Sequence, residues 1–398
     1  MNTSPTRLYF LDWLRIGAFA LLIVYHVGMV YVSWDFHIKS PSAGTAIEPF
    51  MLLSSPWRMS LLFLISGAAT SMMLRSGASG ALLRARTKRL LLPLVCGMLV
   101  IVPPQSYFEV VQKAAYAGSY LDFLQLYYSG YHGFCKGHDC LRLPTWNHLW
   151  FLPYLWVYTL LLWGLVRLRP RSLETLASQA DRLLDGVRML VVPIAVLALL
   201  RITLAGRFAS THALVDDWYN HSVYVLMFMA GAVLACRPAL WERMPPLRWP
   251  ALAVALGCWA MLIVYRSQAS DPGDWLRQLM RVDHAALQWC AIVAALGFAR
   301  RHLNRDHAWR RTLTGAVFPV YLLHQTLIIG LAMALAPLRL TAPLEGALLI
   351  AATFVLSFAG YLLVRKVRIL RPWFGLAYSP MPNAVRKAPN ALPFMRTE

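Results

Sequence analysis

Residues 10–33 read FLDWLRIGAFALLIVYHVGMVYVS, and Asp12, Arg15 and His26 are the only acidic or basic side chains among them. A helix needs about 20 predominantly apolar residues to cross a bilayer, and this run supplies them. Nine more runs of the same character follow, at about 56–74, 89–107, 146–166, 188–206, 221–236, 249–266, 283–299, 312–336 and 344–364. Lipid offers no partner to open backbone groups, so each run should be helical. Composition points the same way. The hydrophobic set makes up 58% of the 398 residues and charged residues only 14%, with mean hydropathy +0.51. A soluble domain carries about 25% charged residues, and a soluble chain of this length has too little interior for so much apolar side chain. A soluble enzyme, a disordered chain and a collagen-like fibre are therefore excluded. The expected fold class is all-α, a polytopic transmembrane helix bundle of about ten spans.

The chain carries 38 Lys and Arg against 18 Asp and Glu, a formal net charge of +20. In a soluble protein that excess would suggest nucleic acid. Here it alternates along the chain. The N-terminus, every second connection after it and the C-terminal tail hold 26 of the basic residues; the intervening connections hold eight. Arg15, Arg58, Arg201 and Arg266 lie within or at the ends of spans. Basic residues collect on the cytoplasmic side, so the split predicts an even number of spans with both termini cytoplasmic. It also accounts for the charge, and no nucleic-acid partner is expected. The first span is not read as a cleaved signal peptide: it is too long, Arg15 interrupts it, and no small-residue cleavage site follows. The Pro-rich tail at 380–398 reads as disordered.

Ionisable side chains within spans are costly and point to function. Arg15 and His26 are eleven residues apart, three turns plus about 20°, so they share one helix face about 16 Å apart along the axis. A guanidinium can grip a phosphate or carboxylate, and a neutral imidazole can take a proton from a hydroxyl. Ser66-Gly67 suits a close helix contact. His148 stands at the outer start of its span, as an interfacial or a working histidine. Tyr321 and His324, three apart, share a face. The basic run Arg84-Ala85-Arg86-Thr87-Lys88-Arg89 is either a topology anchor or a clamp for a polyphosphate. The connection at 106–145 holds Tyr107, Phe108, Tyr116, Tyr120, Phe123, Tyr127, Tyr128 and Tyr131, which suit an interfacial belt or a ring platform for a sugar. His132, Cys135, His138 and Cys140 allow a zinc site or, favoured in an oxidising compartment, a Cys135–Cys140 disulfide. An H-x4-D spacing at His212 and Asp217 is short and reads as a decoy on the outer side. P-loop and G-x-S-x-G signatures are absent.

These landmarks resemble the membrane acyltransferase 3 family. Leu11-Asp12-Trp13-Leu14-Arg15 with His26 matches its opening and its R-x10-H pair. Phe63 to Gly67 matches Phe-x-Ile-Ser-Gly. Arg86 and Arg89 ahead of Leu92-Pro93 match R-x-x-R before Leu-Pro. His148 to Leu152 and Tyr321 to His324 match two later segments. His26 to Tyr31 with Trp34, His37, Ser40 and Arg58-Met59 is similar to the glucan biosynthesis branch, whose members decorate periplasmic glucans with succinyl groups. The resemblance implies one membrane domain over 1–379 in a bacterial inner membrane, and no bound cofactor or metal. It implies acyl-CoA as co-substrate on the cytoplasmic side and a glycan hydroxyl as acceptor outside. His26 would be general base or brief acyl carrier, with Arg15 guiding the thioester. Arg86 and Arg89 would hold CoA phosphates. Arg58, Ser66, His148, Trp150, Tyr321 and His324 would line the cavity. A transporter using Arg15 and His26 as an anion and proton pathway is the alternative, and a sensor without chemistry a further one.

Overall fold

A computed structural model describes residues 8–75, 80–136, 139–268 and 273–378. The expectation of a disordered tail at 380–398 lies outside them, as does His138. In chain order the helices are α1 (Tyr9–Tyr31), α2 (Glu48–Ser54), α3 (Arg58–Arg75), α4 (Gly80–Cys96), α5 (Pro103–Lys113), α6 (Tyr120–Tyr128), α7 (Phe151–Leu168) and α8 (Ser172–Leu183). They continue with α9 (Arg188–Leu204), α10 (Trp218–Leu234), α11 (Pro238–Glu242), α12 (Met244–Gln268), α13 (Asp274–His302), α14 (Ala308–Leu335) and α15 (Ala342–Lys366). Cys135–Lys136 and Asp139–Cys140 form a minimal antiparallel pair, β1 and β2, closed by a Cys135–Cys140 disulfide. The cysteines are thus joined in the way the sequence favoured.

All ten apolar runs fall largely within helices. Among the described residues, seven helices are long and apolar enough to cross a membrane, and at most nine if the bent pairs α4–α5 and α8–α9 each count as one span. α10, the sixth expected span, has 17 residues, about 26 Å against a hydrocarbon core of about 30 Å. The bundle has a lipid-facing exterior: Val100, Leu199, Val355 and Leu363 are each more than 60% exposed, a pattern water would not tolerate over whole helices.

Two details of the backbone position the site. First, α3 and α10 touch at glycine. A Cβ on Gly67 would lie 1.8 Å from the Phe228 carbonyl oxygen, and one on Gly231 would lie 1.9 Å from that of Leu64. Only hydrogen fits at both positions, so backbone packs on backbone. Second, the helix of α4 breaks before α5. The turn Gly97–Ile101 widens to π geometry and the axis bends by 44°. In the five-residue register of this turn, set by Val102 N–H on Gly97 O, Pro103 and Pro104 lack the N–H groups that would bond back to Met98 and Leu99. Side chains answer the freed carbonyls. Tyr127 Oη donates to Met98 O (2.8 Å), Tyr128 Oη to Leu99 O (2.5 Å) and Thr326 Oγ1 to Ile101 O (2.7 Å). The bend sets α5 so that Gln105 meets Thr326 of α14 and Glu109 meets His37 beyond the end of α1.

The aromatic connection therefore does a job that neither sequence reading named. Phe123 and Tyr127 are fully buried. Tyr107 packs on Tyr120 and Phe123 with centroids 5.3 and 5.6 Å away, and Tyr116 on Phe134 at 5.4 Å. The rings form a small core over the broken helix. Tyr128 and Tyr131 remain substantially exposed.

Candidate active site

α1 packs on α14 and brings together two histidines 298 residues apart. His26 Nδ1 and His324 Nε2 lie 2.9 Å apart, and His324 Nδ1 lies 2.7 Å from the Tyr321 carbonyl oxygen. A carbonyl only accepts, so His324 carries its proton on Nδ1 and its Nε2 is a lone pair. His26 must then donate from Nδ1. In the neutral ring this leaves His26 Nε2 as the bare nitrogen. His324 is completely buried, so the pairing is shielded from water. Fixing a histidine through its far nitrogen is how a base is oriented.

His26 opens on a cavity of about 520 Å³ that it shares with Tyr25, Arg58, His148, Trp150 and Tyr321. His148 is 6% exposed, so it faces the protein interior. Its Nε2 donates to Leu322 O (3.1 Å), and Gln105 Nε2 approaches its Nδ1 at 3.4 Å. Tyr321 Oη donates to the His148 carbonyl (2.7 Å). This ties the short helix Asn147–Trp150 to α14. The Arg58 guanidinium carbon lies over Tyr25, 3.2 Å from the ring centroid. Ser66 stays outside the cavity; its carbonyl accepts from Thr70 Oγ1, and its neighbour Gly67 is the α3–α10 contact.

Sequence reasoning missed or dismissed three contributors. His37 lines the cavity, with its Nδ1 2.5 Å from Glu109 Oε2; Lys113 Nζ reaches the other oxygen of that carboxylate at 3.1 Å. Glu109 and Lys113 are four residues apart beyond a double proline, and that helix face was readable. His212, set aside as a decoy, also lines the cavity and packs against Trp150 in a tilted pair with centroids 4.4 Å apart. Burial holds its imidazole below the ordinary range, against the opposing pull of Asp217. Asp217 does not face that ring. It accepts from the backbone N–H groups of Thr211 and His212 and from Tyr154 Oη (2.5 Å). The pair is a loop clamp, and it presents His212 to the cavity.

Arg15, Arg86 and Arg89 stand at the other end of α1. Asp12 accepts from Arg15 (3.3 Å) and from Arg310 Nη1 (2.6 Å), and Arg310 Nε donates to Asp306 (2.7 Å). Arg310 is 1% exposed, and nothing in the sequence linked it to Asp12. Arg86 Nε donates to Thr159 Oγ1 at 3.1 Å, and Arg86 is close enough to feel the charges of Arg15 and Arg89. Arg89 is exposed. The structure thus sorts the expected site residues into a cationic group and an imidazole cavity, joined by one helix. Among the described residues no cluster of three or more His, Cys, Asp or Glu is placed to hold a metal ion.

The acyltransferase domain profile of the acyltransferase 3 family matches residues 8–362. The chain belongs to this family. Two relatives, both glucans biosynthesis protein C of Escherichia coli, are 26% (strain SMS-3-5) and 25% (strain K12) identical over 338 residues. Each alignment covers 82% of this chain and 84% of the relative. No solved structure matches. Family and apolar helices together make this a membrane acyltransferase, and the Arg15–His26 helix face is part of the matched segment.

Proposed function

We propose that this acyltransferase takes an acyl group, acetyl or succinyl, from cytoplasmic acyl-CoA and passes it to a hydroxyl of an extracytoplasmic glycan. The observation that carries the reading is the bare Nε2 of His26, backed by His324, on the same helix face as Arg15. The acceptor O–H would give its proton to His26 Nε2 while its oxygen attacks the thioester carbonyl carbon. The C–S bond then breaks, and the CoA thiolate leaves with the electron pair and takes up the proton. The positive charge that builds on His26 is shared with His324 through the Nδ1–H bond and with the Tyr321 carbonyl behind it. Arg86 and Arg89 would hold the CoA phosphates, and Arg15, steered by Asp12, would guide the pantetheine arm into the bundle. The 26-to-8 division of basic residues supports cytoplasmic termini in a bacterial inner membrane. In that orientation the arginine end would face the inside and His26 would stand towards the outside. The relatives' name makes a glucan the first acceptor to try.

The test is thiol release by the purified protein, with acetyl-CoA and succinyl-CoA compared, with and without a β-glucan. Acceptor-stimulated release that His26→Ala removes is the expected result. Release that is unchanged in His26→Ala would reject the mechanism.

A further inference from the structure

Arg58 is more than nine-tenths buried, and its Nε and Nη1 are sealed from solvent with no hydrogen-bond partner. The Arg58 guanidinium carbon sits over the Tyr25 ring. The ring attraction offsets part of the cost of a buried cation, but Nε and Nη1 remain without a hydrogen-bond partner. No carboxylate among the described residues pairs with Arg58, and the acids nearest the cavity are committed elsewhere. Glu109 is held by His37 and Lys113, Asp35 by Lys113, and Asp217 by Tyr154 and Asn220. A buried, planar cation with donors to spare, opening on a cavity, is built for an anion that arrives with the substrate. CoA phosphates are not that anion. Arg58 starts α3 and Arg75 ends it, about 26 Å along the axis, and Arg75 belongs to the same basic connection as Arg86 and Arg89.

We infer that Arg58 is a substrate-carboxylate site within the transfer cavity, so that the acyl group or the acceptor bears a carboxylate that Arg58 anchors beside His26. The inference rests on the acyl-transfer reading, and it makes Arg58 a specificity-determining residue. Succinyl and butyryl groups have the same chain length and differ at the terminal carboxylate, which isolates the first source. A neutral gluco-oligosaccharide against one carrying a uronic acid isolates the second.

The experiment uses the full-length protein in detergent, as wild type, Arg58→Gln and Arg58→Lys. One arm compares succinyl-CoA with butyryl-CoA on the neutral oligosaccharide; the other compares the two oligosaccharides with acetyl-CoA. Wild type should favour the carboxylate-bearing partner in one arm by roughly 10- to 100-fold in kcat/KM, the range of a charge-assisted hydrogen bond. Arg58→Gln should erase that preference by slowing the carboxylate substrate alone, and Arg58→Lys should keep part of it. In parallel, free succinate should raise the melting temperature of wild type and leave Arg58→Gln unmoved, a readout that needs no turnover. Wild type that is indifferent to the carboxylate in both arms and to succinate overturns the inference, whatever the variants do. Equal slowing of all substrates in Arg58→Gln also overturns it. Absence of transfer with every pair, alongside Arg58-dependent succinate binding, would instead retire the acyl-transfer reading and leave the carboxylate site standing.

Discussion

At the Arg15 end, α1 meets its neighbours through full charges: Asp12 lies between Arg15 and Arg310, with Asp306 beyond. At the His26 end it meets them through neutral imidazoles and a backbone carbonyl. The two ends use the same helix and the same kind of packing, yet one is suited to holding an anion and the other to moving a proton. Fixed charges next to a base would bias its titration. About 16 Å of apolar helix keeps the Asp12–Arg15–Arg310 cluster away from His26, and Arg58 is the cation that shares the cavity with His26.

The comparison can be broken most severely at His26. His26→Ala should lower transfer by about 1,000-fold or more, within the span of general base catalysis, with melting temperature nearly unchanged. A loss below tenfold would dissolve the distinction between the ends. His324→Ala comes next. It should cost about 100-fold in kcat, while His324→Gln should retain more, because an amide oxygen can still accept from His26 Nδ1; equal losses in both would mean that His324 only fills space. Arg86→Ala with Arg89→Ala should raise the KM for acyl-CoA by roughly tenfold or more, with kcat and the acceptor KM little altered. A rise in the acceptor KM instead would return these residues to the topology-anchor reading. Arg310→Met leaves Asp12 and Asp306 without their shared partner and should destabilise the protein by about 3 kcal/mol, seen as a lower melting temperature with kcat little changed.

The smallest effect concerns acid. The hydrogen bond from Arg310 holds the Asp306 carboxyl below the ordinary carboxylate range. A lowered folded-state pKa gives stability that is present above the unfolded value and lost as pH falls through the folded one. The Asp306→Asn variant should therefore melt slightly below wild type at neutral pH, with the gap closing in strong acid. A gap that widens in acid would contradict the assignment.

The sequence carried much of this account. Long apolar runs reveal helices because lipid forbids any other open structure, and eleven residues between Arg15 and His26 reveal a shared face because helix geometry is fixed. What spacing cannot show is which helices become neighbours. His324 was visible as a polar residue in an apolar run, but its bond to His26 depends on α14 docking against α1. Arg310 looked like one basic residue in a run of five. His212 looked like a decoy because its H-x4-D spacing is short and falls on the outer side, and the Asp217 clamp that folds its loop back joins Asp217 to backbone N–H groups and to Tyr154. The outer tyrosines looked like a surface because nothing in composition says that Pro103 and Pro104 free the carbonyls that Tyr127 and Tyr128 then cap. Ser66 was drawn towards the cavity by its motif, whereas its neighbour Gly67 shows what that motif builds, a close helix crossing.

The central claim is that one helix serves two sides of the membrane, with donor charge at one end and the acceptor's base at the other. It is tested most directly in proteoliposomes of uniform orientation, with β-glucan sealed inside or outside and labelled acyl-CoA added only to the compartment facing Arg86. Acylated glucan should form when glucan is confined to the compartment facing His26, and not when it shares the compartment with acyl-CoA. Product only when donor and acceptor share one compartment would contradict the account.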